Sequence, residues 1–203
     1  MGGLGEVKVK RVARQLCSAL EFLHEEGFVH FDVCLQNIFV FHHGMCLVKL
    51  GDFGNAHRVG ALVKKRSVRL AWAPPEVYQA LHCGGYLLQT SHDAWQLGIL
   101  IFVCVTGSYP WFSPDVADHH YNSWVSWLEH RTPKVPPRFR CFTPCLLRLL
   151  QGLLEPHPEK RASVALVLEY MPQTWLVRGI NPLDIDFDER SFFSEILVAR
   201  PKS

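Results

Sequence analysis

The sequence carries little net charge. At +2 over 203 residues, it lacks the one-signed excess that draws a protein to nucleic acid or to a membrane surface. It also lacks a long hydrophobic run. The longest, Leu97 to Val105, is about half the length needed to span a bilayer and reads as a buried helix. No membrane and no nucleic-acid partner is expected. No secretory signal opens the chain, and the seven cysteines, Cys17, Cys34, Cys46, Cys83, Cys104, Cys141 and Cys145, are odd in number and scattered. Reduced thiols and a cytosolic or nuclear setting are expected, with cytoplasmic as the assignment. Neither His42-His43, His119-His120 nor Cys141 with Cys145 has a second ligand pair at zinc spacing, so surface histidines and buried thiols are expected. Repeats and low-complexity segments are absent.

What the chain has is bulk. Hydrophobic residues make up 48% of it, with six Trp and thirteen Phe, enough for one domain with a real core and not a disordered chain. Val7 to Glu26 has helical periodicity, with Val9, Val12, Leu16, Ala19, Leu20 and Leu23 on one face and Gly27 as its stop. A short strand over Phe28 to His30 follows. Ile38 to Phe41 and Cys46 to Leu50, joined through His42-His43-Gly44, read as a hairpin. Asp52 to Glu76 reads as a basic loop. Ala94 to Val105 is apolar all round and is expected to be a central helix. Further helices are expected over Trp124 to His130, Cys145 to Leu154 and Val164 to Tyr170, with Pro133, Pro136, Pro137 and Pro144 breaking the chain between them. After Arg178 the chain turns acidic and aromatic, without helical period.

Three motifs stand in order: His30-Phe31-Asp32-Val33-Cys34-Leu35-Gln36-Asn37, then Asp52-Phe53-Gly54, then Pro74-Pro75-Glu76. The second alone is weak. All three in order, with a hairpin between the first two, resemble the catalytic loop, metal-binding loop and activation-segment end of eukaryotic-type serine/threonine protein kinases. The resemblance implies a protein-kinase-like (α+β) fold, here the C-terminal lobe only, mainly α with a small catalytic-loop β-hairpin. It implies ATP-dependent phosphorylation of protein Ser/Thr, with ATP and Mg²⁺ as cofactors and a protein substrate or partner. In that family Asp32 would accept the substrate hydroxyl proton, and Asn37 and Asp52 would give oxygens to Mg²⁺. His30 and Phe53 would stack in a hydrophobic column, and Phe39 would form the floor under adenine.

Later segments extend the likeness to about Val7 to Trp175. Asp93 resembles the buried aspartate that opens the kinase central helix and hydrogen-bonds the catalytic-loop backbone; the local alternative is a helix N-cap. Arg161 resembles the arginine that pairs with the activation-segment glutamate, here Glu76. Thr106 to Phe112 resembles the turn after the central helix. Val48-Lys49-Leu50, His57-Arg58-Val59-Gly60 and the Trp124 to Trp127 region place the pattern closest to the SH3-binding-domain kinase family. The expected division is a truncated N-terminus over 1–6, a kinase C-lobe over 7–177 and an acidic, aromatic tail over 178–203.

The pattern also departs from the family. Gly2-Gly3-Leu4-Gly5-Glu6-Val7-Lys8 lacks the third glycine of G-x-G-x-x-G and runs straight into the first helix, so an N-terminal lobe is expected to be missing from this chain. Phe31 replaces the usual arginine, so the loop cannot clamp a phosphorylated activation segment. Cys34 replaces the lysine that steadies the transferring phosphate, and Arg69 stands where a threonine is usual. Losing a transition-state donor of this kind costs ~3–4 kcal/mol; alternatively Arg69 brings its own charge to the phosphate. An enzyme and a non-catalytic pseudokinase fragment acting as an interaction module are therefore both on the page, with this chain alone expected to be inactive. Pro133 to Arg138 has the PxxPxR shape of an SH3 ligand, against a rigid interhelical loop. Arg58, Lys64, Lys65, Arg66 and Arg69 include no acid between them. They read as a solvated basic loop, or as a dock for acidic peptide such as the tail with Asp184, Asp186, Asp188 and Glu189.

Overall fold

The computed structural model describes residues 3–64, 69–80 and 84–180. Lys65, Arg66, Cys83 and the four tail acids lie outside the described residues. Helices dominate: α1 (Glu6–Glu25), α2 (Pro75–Ala80), α3 (Ser91–Thr106), α4 (His119–Leu128), α5 (Pro144–Leu153) and α6 (Leu166–Glu169). The strands are short and pair two by two: β1 (Phe28–Val29) with β4 (His57–Arg58), β2 (Ile38–Val40) with β3 (Val48–Leu50), and β5 (Leu62–Val63) with β6 (Tyr86–Leu87). All three pairs are antiparallel. The expected hairpin is β2–β3, with Phe39 opposite Lys49.

α3 is the axis. Every residue from His92 to Thr106 is buried, as an all-round apolar helix requires, and Gly107 at φ 78° ends it by supplying the left-handed turn. Two glycines let neighbours close in: a Cβ on Gly98 would meet Leu154 Cδ2 at 2.8 Å, and one on Gly152 would meet Leu166 Cδ2 at 2.5 Å. α1 lies across α3 and β3 and buries Val9, Val12, Ala13, Leu16, Cys17 and Leu20. Ala13 and Cys17 take the places expected of Ala19 and Leu23, which are only half-buried; the face is set by what α1 packs against, and that is not written in its own period. An aromatic stack fills the far side of α3, where Trp124 lies on Phe139 at 4.3 Å between ring centres and Phe102 packs on both Phe139 and Phe142. Glu6 accepts from the Trp175 and Leu176 amides, at 3.0 Å each, so the start of α1 holds the end of the described core.

Arg161 knots the lower half. Its side chain is fully buried beside Glu76, and all five of its N–H groups donate. Nη1 and Nη2 reach the two Glu76 oxygens at 2.7 and 2.9 Å. The others reach the carbonyls of Glu155 (2.8 Å), Ser91 (3.0 Å) and Pro156 (3.2 Å). The guanidinium also lies over Trp95, 4.9 Å from the ring centre. Removing one partner of a buried ion pair strands the other charge, at a cost of ~3–5 kcal/mol. Arg161→Ala is therefore expected to lower the melting temperature strongly or to give insoluble protein. A melting curve unchanged within error would show that the knot contributes nothing.

His92 sits against this knot, with its Nε2 3.8 Å from Glu76 Oε1. Burial pulls its pKa below the usual imidazole value, over the opposing pull of Glu76, the Gln89 backbone and Asp93; Arg161 acts with burial. A lowered folded-state value means that the unfolded chain binds the proton more readily. The stability that His92 contributes is then complete above ~6.5 and is lost as pH falls below it, by at most ~1.4 kcal/mol per pH unit. Chemical denaturation at pH 7.5 and 5.5 checks this: the parent is expected to lose more stability on acidification than His92→Phe. Equal losses would exclude His92 as the source.

Candidate functional site

The loop His30–Asn37 is positioned by side chains of α3. Asp93 is fully buried and takes the amides of His30 (2.9 Å, Oδ2) and Phe31 (2.8 Å, Oδ1). Its Oδ2 also lies 2.8 Å from His24 Nε2, which donates from the last turn of α1. The N-cap of α3 is Thr90, not Asp93; the aspartate faces the loop, as its resemblance to the kinase residue implies. One turn on, Gln96 accepts from the Val33 amide (2.8 Å) and donates to the Phe31 carbonyl (3.4 Å). Phe31 itself stands at φ 67°, a costly conformation for a bulky residue that these bonds hold in place.

The named site residues come together around this loop. Asn37 Nδ2 donates to the Asp32 carbonyl at 2.8 Å, which leaves its oxygen without a partner among the described residues. The Gly51 amide donates to the Asn37 carbonyl (2.9 Å) and His30 Nε2 donates to the Gly51 carbonyl (3.1 Å), so Asp52 is delivered next to Asn37. Asp52 is exposed and left-handed, at φ 58° and ψ 77°, and caps a short 3₁₀ turn by accepting from the Gly54 amide. Phe39 is half exposed and lies so close over Gly51 that a Cβ there would stand 2.6 Å from the ring. Phe53 packs edge-on to His30 at 5.0 Å. Asp32 is half-buried, and its Oδ2 accepts from Asn55 Nδ2 at 3.2 Å.

His24, Gln96 and Asn55 were not reached from the sequence. Gln96 follows Asp93 by three residues, so helix spacing placed it on the same face. His24 and Asn55 carry no signal of that kind.

The replaced positions have definite surroundings. Phe31 is buried and packs on Tyr86 and His92, both at 5.7 Å, while those two rings stack at 5.0 Å. Cys34 is buried too, and burial first, then the Asp32 charge, push its thiol up, against the pull of Arg69. Arg69 Nη1 donates to Cys34 Sγ at 3.0 Å and to Gln36 Oε1 at 2.9 Å.

Oxygen donors from one carboxylate and one carboxamide suit Mg²⁺, a hard cation that keeps several waters and takes the rest of its ligands from phosphate. The Asn37 oxygen and exposed Asp52 fit it. No group of three or more His, Cys, Asp or Glu placed to hold a metal ion occurs among the described residues. None of the described helices is long and apolar enough to cross a membrane.

Comparison with known proteins accords with this geometry. The family model for the protein kinase domain matches residues 1–176. The chain is 38% identical over 169 residues to serine/threonine-protein kinase SBK1 of Mus musculus, covering 83% of this chain and 40% of that protein. It is 35% identical over 202 residues to the Danio rerio protein of the same name (98% and 52%), and 37% identical over 178 residues to serine/threonine-protein kinase meng-po of Drosophila melanogaster (86% and 39%). The chain thus spans about half the length of these relatives, or less. With the protein kinase domain model matched over residues 1–176, the chain belongs to the protein kinase family, among relatives named serine/threonine-protein kinases.

Proposed function

We propose that residues 7–177 form the catalytic-loop-bearing lobe of a serine/threonine protein kinase, with Asp32 as base and Asn37 and Asp52 as the Mg²⁺ ligands. The observation that carries this reading is their convergence: Asn37 bonds to the Asp32 backbone, and Gly51, next to Asp52, bonds to Asn37. Asp32 would orient the substrate hydroxyl and take its proton. A Mg²⁺ ion bound at Asn37 and Asp52 would neutralise phosphate charge. Phe39 would offer its exposed face to adenine. The second reading, a non-catalytic interaction module, is favoured by Cys34, a buried neutral thiol where the family pattern has lysine.

Phosphoryl transfer depends on positioning and charge neutralisation. A site that offers adenine only the Phe39 floor holds it weakly, so Mg·ATP is expected to bind the 203-residue chain no better than about millimolar, ~4 kcal/mol. The purified chain is expected to show no measurable transfer of labelled phosphate to protein. Asp52→Asn is expected to weaken Mg·ATP binding further, and binding indifferent to that change would remove the site assignment. Transfer by the unmodified chain that Asp32→Asn abolishes would instead overturn the one-lobe reading.

Pro133 to Arg138 is proposed as a structural loop, not an SH3 ligand. Pro136 is buried, and Arg138 Nη1 donates to the Tyr109 carbonyl at 2.7 Å, so the arginine such a ligand would present is already engaged. Binding to a panel of SH3 domains is expected at background for both the parent and Arg138→Ala. Micromolar binding that the substitution abolishes would reverse this assignment.

A further inference from the structure

Among the described residues, Arg69 is a cation with only neutral partners. Its recorded bonds are to the Cys34 thiol and the Gln36 carboxamide, and no carboxylate lies within ion-pair distance of it among the described residues. A guanidinium has five N–H donors in a planar fork. Nη1 uses its two; the three on Nε and Nη2 have no partner among the described residues. The side chain is held in place all the same. Two bonds fix its tip to the His30–Asn37 loop, and the Arg69 carbonyl accepts the Trp72 (2.9 Å) and Ala73 (3.1 Å) amides at the start of a 3₁₀ turn.

Asp32 precedes Cys34 by two residues in the same loop. Its charge raises the thiol while that of Arg69 lowers it, so both charges act on one sulfur. Yet the two do not pair: the recorded partner of the Asp32 carboxylate is the neutral amide of Asn55. A carboxylate and a fixed cation thus act on the same loop residue without pairing with each other. An uncompensated guanidinium with a free fork suits an anion with several oxygens, and phosphate above others, because two N–H groups can meet two oxygens at once. Its tip lies on the loop that carries the base, whereas the other described cations of the basic stretch, Arg58 and Lys64, lie towards β4 and β5. That position favours the group being transferred over an acidic side chain of the protein substrate.

We propose that Arg69 is a catalytic residue of this site, binding the oxygens of the transferring phosphoryl group at the position where Cys34 leaves no charge. The inference rests on the kinase reading above. In the step, the substrate hydroxyl oxygen forms a bond to the γ-phosphorus, and the bond from that phosphorus to the β-phosphate oxygen breaks. ADP leaves with the electron pair, and the hydroxyl proton passes to Asp32. Arg69 stays protonated throughout, and its N–H groups follow the charge on the phosphoryl oxygens.

The test is a ³¹P NMR titration of the whole chain with Mg·ATP. Arg69→Ala is expected to weaken binding about tenfold and to abolish the shift of the γ-phosphate signal while the α-phosphate signal still moves. Arg69→Lys is expected to keep part of the γ-phosphate effect. Cys34→Lys, added to Arg69→Ala, is expected to regain it by returning a cation to the same point. Arg69→Gln, which keeps a donor for Gln36 without charge, gives the same reading if the alanine variant does not fold. If Arg69→Ala and Arg69→Gln bind as the parent does while Asp52→Asn loses binding, the proposal is overturned and the kinase site stands. If none of these changes alters binding, the site reading fails and this proposal with it. Loss of an acidic peptide's binding on Arg69→Ala, with Mg·ATP unaffected, would assign Arg69 to the protein substrate and also overturn it.

Discussion

The carboxylate of Asp93 is the interaction on which the site depends. It is fully buried, and a buried charge is tolerated only when hydrogen bonds replace its lost water. Three donors do so, the amides of His30 and Phe31 and the His24 ring. Those bonds fix the backbone just before Asp32, hold Phe31 left-handed, and join α1 to α3 through one group. Both the course of the backbone into Asp32 and the seat of the first helix follow from a side chain in the first turn of the central helix.

How much of this was legible in the sequence depended on length and chemistry. α3 announced itself as an apolar run, and the period of α1 showed a helix there, though not its whole buried face. β1, β4, β5 and β6 have two residues each, too few to show alternation, and they form only because neighbouring segments are already held side by side. α2 stayed hidden for a related reason: six residues opening on proline look like loop until Arg161 pins Glu76 from below. The contacts of Asp93 and Arg161 were legible because each lies in a motif of fixed spacing, and the same spacing is what makes Asp32, Asn37, Asp52 and Phe39 candidates. Asn55 and His24 lie outside such spacing, and only the folded chain brings them to Asp32 and Asp93.

The changed residues are coupled. In the proposed site Cys34 stands where the family pattern has a lysine, and Arg69, 35 residues later, brings a guanidinium to within 3.0 Å of its sulfur. Read position by position, Cys34 is a loss and Arg69 an oddity. In space they are two sides of one contact, with Gln36 as its second anchor.

Phe31 changes the character of the segment that follows the Asp52 loop. It packs beneath Tyr86 and His92, in a cluster with Val29, Ala73, Val77 and Leu88, while Tyr86 pairs with Val63 across β5 and β6. A basic side chain at this point would hold the segment through a phosphate, by an attraction that salt weakens and a phosphatase can delete. An aromatic ring holds it through excluded water, which neither agent touches. For the part of the segment that β5 and β6 tether, the order is inherited from folding itself: it arrives with the core and lasts as long as the core.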